Sequence, residues 1–189
     1  MELLSYLCLC GALCWCALIL LPWRPWSTRE RLEEPSTEHV QERLNDITVL
    51  IPARNEADCI EQTLHGLRAQ GSEMRIIVID DQSSDDTALK ARLLGAQVIS
   101  GTTPLPGWSG KLWALEQGLK EVSTAYTLLL DADIQLAPGI VARLRQKAAD
   151  ENLALVSLMA EPPLKNFVER LLMPAFIFFF KLLYPFALA

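Results

Sequence analysis

Two apolar runs in this 189-residue chain end in carboxylates. Arg75–Ile79 leads into Asp80-Asp81-Gln82-Ser83, with Asp85-Asp86-Thr87 close behind, and Tyr126–Leu130 leads into Asp131-Ala132-Asp133. A third run, Ile47–Ile51, leads into Pro52-Ala53-Arg54-Asn55-Glu56. Carboxylates brought to one place resist ionising together unless a cation offsets them. Asp-x-Asp at the end of a strand calls for a divalent metal, and hard oxygen ligands favour Mg2+ or Mn2+. Zinc is not expected, since the region has almost no His and no Cys pair. Each cluster also has a plainer reading. Asp85 and Asp86 before Thr87 fit helix capping and the helix dipole. Asn55 and Asp58 fit caps as well, and Asp80 fits a residue that orients its loop.

Pro106-Gly107-Trp108-Ser109-Gly110-Lys111 adds a basic group to a glycine-containing loop. Lys111 is expected to open a helix, whose first amides favour an anion such as a diphosphate. The loop lacks the Walker spacing, and no Gly-x-Gly-x-x-Gly follows the first apolar run, which argues against a dinucleotide-dependent oxidoreductase. Trp108 reads equally as a surface on which a sugar or acceptor stacks and as a packing plug.

The elements that must position these residues alternate between Asp46 and Ala160. Strands are expected at Ile47–Ile51 (ended by Pro52), Arg75–Ile79, Gln97–Ile99, Tyr126–Leu130 and Leu153–Met159. Helical spacing appears in Ile60, Leu64 and Leu67, with Gly71 as a stop, and in Thr87–Leu94, closed by Gly95. It recurs in Leu112, Leu115 and Leu119, and in a helix opened by Pro138 that runs to Asp150. His65 lies off its helix's apolar stripe and reads as a surface residue. Strands apolar at nearly every position, separated by helices, mean an α/β fold: a mostly parallel sheet with helices on both faces. In such sheets ligands bind beyond the carboxyl ends of the strands, where the three clusters lie.

With 51% hydrophobic residues the chain is not a disordered one. Its 17 basic against 23 acidic residues give a net charge of −6, so no nucleic acid is expected as a partner. Leu3–Leu21 carries no charge and has the length of a bilayer span of ~20 residues. The expectation is one N-terminal transmembrane helix over 1–23, uncleaved because its start is acidic and bulky residues fill its far end. Arg24, Arg29 and Arg31 follow it, which would put the catalytic domain in the cytoplasm, at the inner membrane. Trp15, Trp23 and Trp26 suit its interfaces. Cys8, Cys10, Cys14 and Cys16 lie inside the run and read as small apolar residues. Residues 24–45 read as a linker, partly helical, and 46–163 as the sheet domain. The segment 164–189 is hydrophobic, with Lys181, Pro174 and Pro185 fitting a helix in the membrane interface better than a span.

Ile51-Pro52-Ala53-Arg54-Asn55-Glu56, Ile79–Thr87, Gly110-Lys111 and Leu130-Asp131-Ala132-Asp133 together resemble the family 2 glycosyltransferases of GT-A fold. A narrower likeness, to the hopene-associated glycosyltransferases, rests on Gly107–Lys111, Ala160-Glu161-Pro162 and Phe179–Phe186. The resemblance implies an inverting transfer of a sugar from a nucleotide-diphosphate donor, with a UDP-sugar favoured, to a lipid acceptor such as a hopanoid. It implies nucleotide-binding roles for Pro52, Ala53, Arg54, Glu56, Asp80 and Asp81, with Arg54 packing on the base and Asp81 bonding the uracil edge or ribose. It places Lys111 at the diphosphate, Asp131 at the ribose and metal, and Asp133 as principal metal ligand, so that Asp131, Asp133 and Lys111 form the catalytic set. The family commonly has Gly where Gln82 stands, so a slightly different turn is expected there. The family's catalytic base lies further downstream, beyond Ala189, and a C-terminally truncated fragment that turns over poorly is expected. Polyprenyl-phosphate or ceramide-type sugar transfer, and a non-catalytic membrane-bound nucleotide-binding fragment, are the alternatives. A nucleotidyltransferase would need a glycine-rich basic loop that Pro52–Glu56 does not supply.

Overall fold

The computed structural model describes residues 2–27, 32, 43–162 and 164–185. The chain divides into two compact units, one of Met1–Glu33 with Glu161–Ala189 and the other of Glu34–Ala160.

The second unit is built on a parallel sheet. Its strands are β1 (Ile47–Ala53), β2 (Arg75–Asp80), β3 (Gln97–Ser100) and β4 (Tyr126–Leu129), in the order β3-β2-β1-β4. Ile51 pairs with Val78 across β1 and β2, Val49 with Leu128 across β1 and β4, and Ile79 with Ile99 across β2 and β3. The connections are α2 (Ile60–Arg68), α3 (Thr87–Leu93) and α4 (Gly110–Leu119), and α5 (Ile140–Asp150) follows β4. Ile47, Val49, Ile51 and Val78 meet Ile60, Leu64 and Leu67 of α2, Ala91 of α3 and Val141 of α5 in the larger core. Leu50, Ile77 and Ile79 point the other way, onto Ala114 of α4. Burying each such Leu or Ile contributes about 1.5–3 kcal/mol. Helix α4 comes close because Gly118 has no side chain: a Cβ there would lie 2.8 Å from Cδ1 of Ile79.

Pro52 does not end the first strand, which runs on to Ala53. The β4 ladder stops at Leu50, so the missing N–H of Pro52 deprives no neighbour on that side, while Pro52 still pairs in register with Ile79 on the other. The expected strand at Leu153–Met159 does not form. That run pairs with no strand among the described residues, and Leu155 is 81% exposed. Apolar content marked it as strand-like, but a strand also needs a partner edge. The exposure of Leu129 on β4 shows that this side of the sheet is only partly covered. Pro138 does not open α5 either. The helix starts at Ile140 behind Gly139, which adopts a left-handed φ of 72°. His65 is exposed on α2.

The first unit holds α1 (Glu2–Ile19) and α6 (Phe167–Leu183). Trp15 of α1 and Phe178 of α6 have ring centroids 6.5 Å apart. Lys181 Nζ donates to Ser27 O at 2.5 Å. Asn166 and Glu169 close a reciprocal capping box at the start of α6. The expected transmembrane span over 1–23 is corrected. Among the described residues no helix is long and apolar enough to cross a membrane. Helix α1 has 18 residues, about 27 Å of rise, and ends before Pro22, which disfavours helix at Leu21. The bilayer core is about 30 Å thick. Most of the expected linker helix, together with Arg29 and Arg31, lies outside the described residues.

Candidate functional site

The carboxyl ends of β1, β2 and β4 deliver their following turns to one side of the sheet. Pro52 and Ala53 come from the end of β1, Arg54 and Glu56 from the turn after it, and Asp81 from the turn after β2. Lys111 comes from the start of α4, and Asp131, Ala132 and Asp133 from the turn after β4. All nine line one cavity of about 370 Å3. The site residues expected from sequence therefore lie together, with the exception of Asp80. Its Oδ1 accepts from Ser83 N at 3.2 Å, so it shapes its own turn and does not line the cavity.

Asp81 is the most enclosed acid of the set. Its side chain is 10% exposed, and its Oδ2 lies 3.7 Å from Nη1 of Arg54, which is 65% exposed. Gly110 lies against the same carboxylate: a Cβ there would sit 2.9 Å from Asp81 Oδ2, so any larger residue at the helix start would push Asp81 or α4 away. Lys111 Nζ meets Asp131 Oδ1 at 2.6 Å. Both groups are more than half exposed, so water screens the pair and its worth is in placement more than in stability. Ser109, which precedes α4, makes no side-chain cap, leaving the first amides of the helix uncapped by it.

The cavity lining carries four carboxylates and two cationic side chains. A diphosphate entering it meets an excess of negative charge unless a cation comes too. Among the described residues no group of three His, Cys, Asp or Glu is placed to hold a metal. Asp131 and Asp133, both exposed on either side of buried Ala132, offer hard oxygen donors from one turn. That fits Mg2+ or Mn2+ held by one or two carboxylates, with water and phosphate oxygens completing the shell.

The turn after β4 is held by a residue of α2 and by one just past the end of that helix. Thr63, 2% exposed, donates from Oγ1 to Ala132 O at 2.6 Å. Gln70, 5% exposed, donates from Nε2 to Ala137 O at 3.0 Å. Sequence reading missed both, because polar residues beside an apolar stripe look like solvent-facing ones. Gln82 has φ 59°, the left-handed conformation that glycine favours, so the turn expected to differ keeps the shape a glycine would give. That conformation costs an L-residue about 1–2 kcal/mol. Asp86 stands at the N-cap of α3 without a side-chain cap bond. Asp85 instead accepts from Thr87 N at 3.0 Å and also reaches the first turn, accepting from Ala57 N at 3.2 Å. The hydrogen bond from the Thr87 hydroxyl is the largest influence on the Asp85 carboxyl; desolvation opposes it, and the amides of Thr87 and Ala57 add to it, so that the carboxyl is held below its ordinary value. Trp108 meets Trp113 edge to face at 5.4 Å, a staple across the start of α4, and remains 43% exposed.

The 4,4'-diaponeurosporenoate glycosyltransferase of Staphylococcus aureus (strain MRSA252) is 32% identical over 126 residues, covering 65% of this chain and 34% of the relative. That of Staphylococcus haemolyticus (strain JCSC1435) is 37% identical over 97 residues, covering 50% and 26%. The chain thus spans about a third or less of the length of these curated relatives. Among solved structures, glucosyl-3-phosphoglycerate synthase from Mycobacterium tuberculosis, in complex with Mn2+, UDP and glucosyl-3-phosphoglycerate, is 27% identical with a TM-score of 0.46. The match covers 55% of this chain and 39% of that one. Residues 48–185 match the family described as Glycosyl transferase family 2, a range that takes in every residue lining the cavity. The chain belongs to glycosyl transferase family 2 and carries its GT-A-like parallel α/β sheet.

Proposed function

We propose that the cavity is the donor site of an inverting glycosyltransferase that takes a nucleotide-diphosphate sugar, a UDP-sugar before others. The observation that carries this reading is the meeting of Arg54, Asp81, Lys111, Asp131 and Asp133 around one volume at the carboxyl edge of the sheet. Arg54 offers a planar cation beside the base. Asp81, enclosed and acceptor-only when ionised, takes a hydroxyl or imide N–H. Lys111 and the first amides of α4 face the diphosphate. Asp131 and Asp133 would hold Mg2+ or Mn2+, which when bound neutralises charge on the diphosphate. Lys111, released from Asp131 as phosphate arrives, stabilises the same charge as the leaving group departs.

The acceptor in this reading is a lipid. Its support is the apolar surface of α1 and α6, where Leu7, Leu13, Leu171 and Phe176 are each 60% or more exposed. A hopanoid is the acceptor named by the likeness of Gly107–Lys111 and Ala160–Pro162 to hopene-associated enzymes. The same exposed surface supports attachment to a lipid bilayer; the cytoplasmic face belongs to this reading through the arginines that follow the N-terminal apolar run.

Calorimetric titration with UDP, UDP-glucose, UDP-GlcNAc and GDP-mannose, each with and without Mn2+, tests the donor site. Metal-dependent binding of a UDP compound is expected. Asp133→Ala is expected to abolish the Mn2+ dependence and weaken UDP at least about tenfold, the loss that accompanies removal of a charged ligand interaction of about 1.4 kcal/mol. Equal binding with and without Mn2+, or an Asp133→Ala chain that binds as wild type does, refutes the assignment.

A further inference from the structure

The turn that carries Arg54 and Glu56 does not hold itself. Three successive amides leave it: Asn55 N donates to Ser83 Oγ at 3.0 Å, Glu56 N to Thr87 Oγ1 at 2.9 Å, and Ala57 N to Asp85 Oδ2 at 3.2 Å. All three end on side chains of one short segment, 28–31 residues further along the chain. That segment answers in kind. Ser84 donates to Asn55 Oδ1 from N at 2.8 Å and from Oγ at 3.2 Å, and Lys90 Nζ donates to Ala57 O at 2.8 Å. Asn55 is held at φ 55°, a left-handed conformation with its own cost, by bonds on both its amide and its side chain.

We propose that Ser83–Thr87 is a positioning segment for nucleotide binding, with Thr87 at its centre. Its hydroxyl accepts from Glu56 N while donating to Asp85 Oδ1 at 2.5 Å, and it is fully buried. Asp85 in turn holds Ala57. None of Ser83, Asp85 and Thr87 lines the cavity, whereas Arg54, Glu56 and Asp81 do. The two turns are thereby locked as one body, and Arg54 is kept within reach of Asp81 across them. Capping of α3 alone would explain the bond from Asp85 to Thr87 N, but not three neighbouring amides of a different turn. The nucleotide part of this inference rests on the donor-site reading. The lacing of the turns does not.

The test uses the full chain with Thr87→Val, which keeps shape and removes the hydroxyl, and Thr87→Ser, which restores it. Two readouts are taken: affinity for UDP with Mn2+, and hydrogen exchange at the amides of residues 55–57. Thr87→Val is expected to speed exchange at Glu56 and to weaken UDP by about five- to tenfold, the effect of one lost hydrogen bond. Thr87→Ser is expected to return both to within about twofold of wild type, a rescue that loss of packing alone would not give. Asp85→Asn, which leaves the Thr87 hydroxyl in place, is expected to speed exchange at Ala57 and serves if Thr87→Val does not fold. Unchanged exchange in both variants overturns the lacing. Faster exchange with wild-type UDP affinity overturns the positioning role. If the wild-type chain takes no UDP at all, the donor-site reading falls instead, and the exchange rates alone decide whether the segment holds the turn.

Discussion

At the scale of single residues, the electrostatics of the site are concentrated in few groups. Asp85 has the clearest signature. Hydrogen bonds to its ionised form, first from the Thr87 hydroxyl, lower its pKa from 3.8. A carboxyl whose folded pKa is depressed adds stability above its unfolded value and loses it as pH falls through the folded one. The contribution of Asp85 is therefore expected to be constant across neutral pH and to fade below pH 3.8. The melting temperature of wild type minus that of Asp85→Asn, measured against pH, checks this. The expected curve is a plateau that collapses at the acid end, and a difference that grows as pH falls would contradict it. Residue types made Asp81, Lys111, Asp131 and Asp133 stand out together, because the carboxylates follow strands of one parallel sheet and the lysine opens the helix beside them. The side-chain oxygens that accept from amides between the Arg54 turn and Ser83–Thr87 were illegible, since serine, threonine and asparagine in a turn give no sign of which distant amide they will meet.

At the scale of elements, helix α2 does two jobs. Ile60, Leu64 and Leu67 bury its apolar stripe, and Thr63, joined by Gln70 just past the helix end, holds the carbonyls of the turn that carries Asp131 and Asp133. Thr63→Val leaves Ala132 O buried without its partner. The expected cost is about 1–3 kcal/mol, read from the denaturant midpoint, with weaker Mn2+-dependent UDP binding. A variant that loses stability but not affinity would confine Thr63 to packing. Hydrophobic periodicity was enough to place the strands and helices that pack in the sheet, including the short β3. It failed at Leu153–Met159 and at Pro52, for related reasons. Whether an apolar run becomes a strand, and whether a proline is tolerated within one, depends on which ladder partners are alongside, and those are set by residues far away in sequence.

At the scale of the whole molecule, the two units differ in kind. The sheet unit holds the buried apolar core, while α1 and α6 leave large apolar residues exposed: Leu3, Leu4, Leu7 and Leu13 on one, Phe167, Leu171, Phe176 and Leu183 on the other. An exposed apolar surface of that extent marks an interaction site. The chain is expected to float with phospholipid vesicles, and Leu7→Glu with Leu13→Glu is expected to reduce the floating fraction by more than half, since each buried leucine is worth about 1.5–3 kcal/mol. Full recovery of that variant with the vesicles would remove α1 from the attachment. The outer rim of β4 has a different consequence. It is four residues long and has no neighbour among the described residues. A rim of that kind is a template for another copy's backbone, but a short one. Self-association through it would be weak and reversible, set by concentration and undone by dilution, so light scattering from a purified sample should track how crowded the tube is rather than how long it has stood.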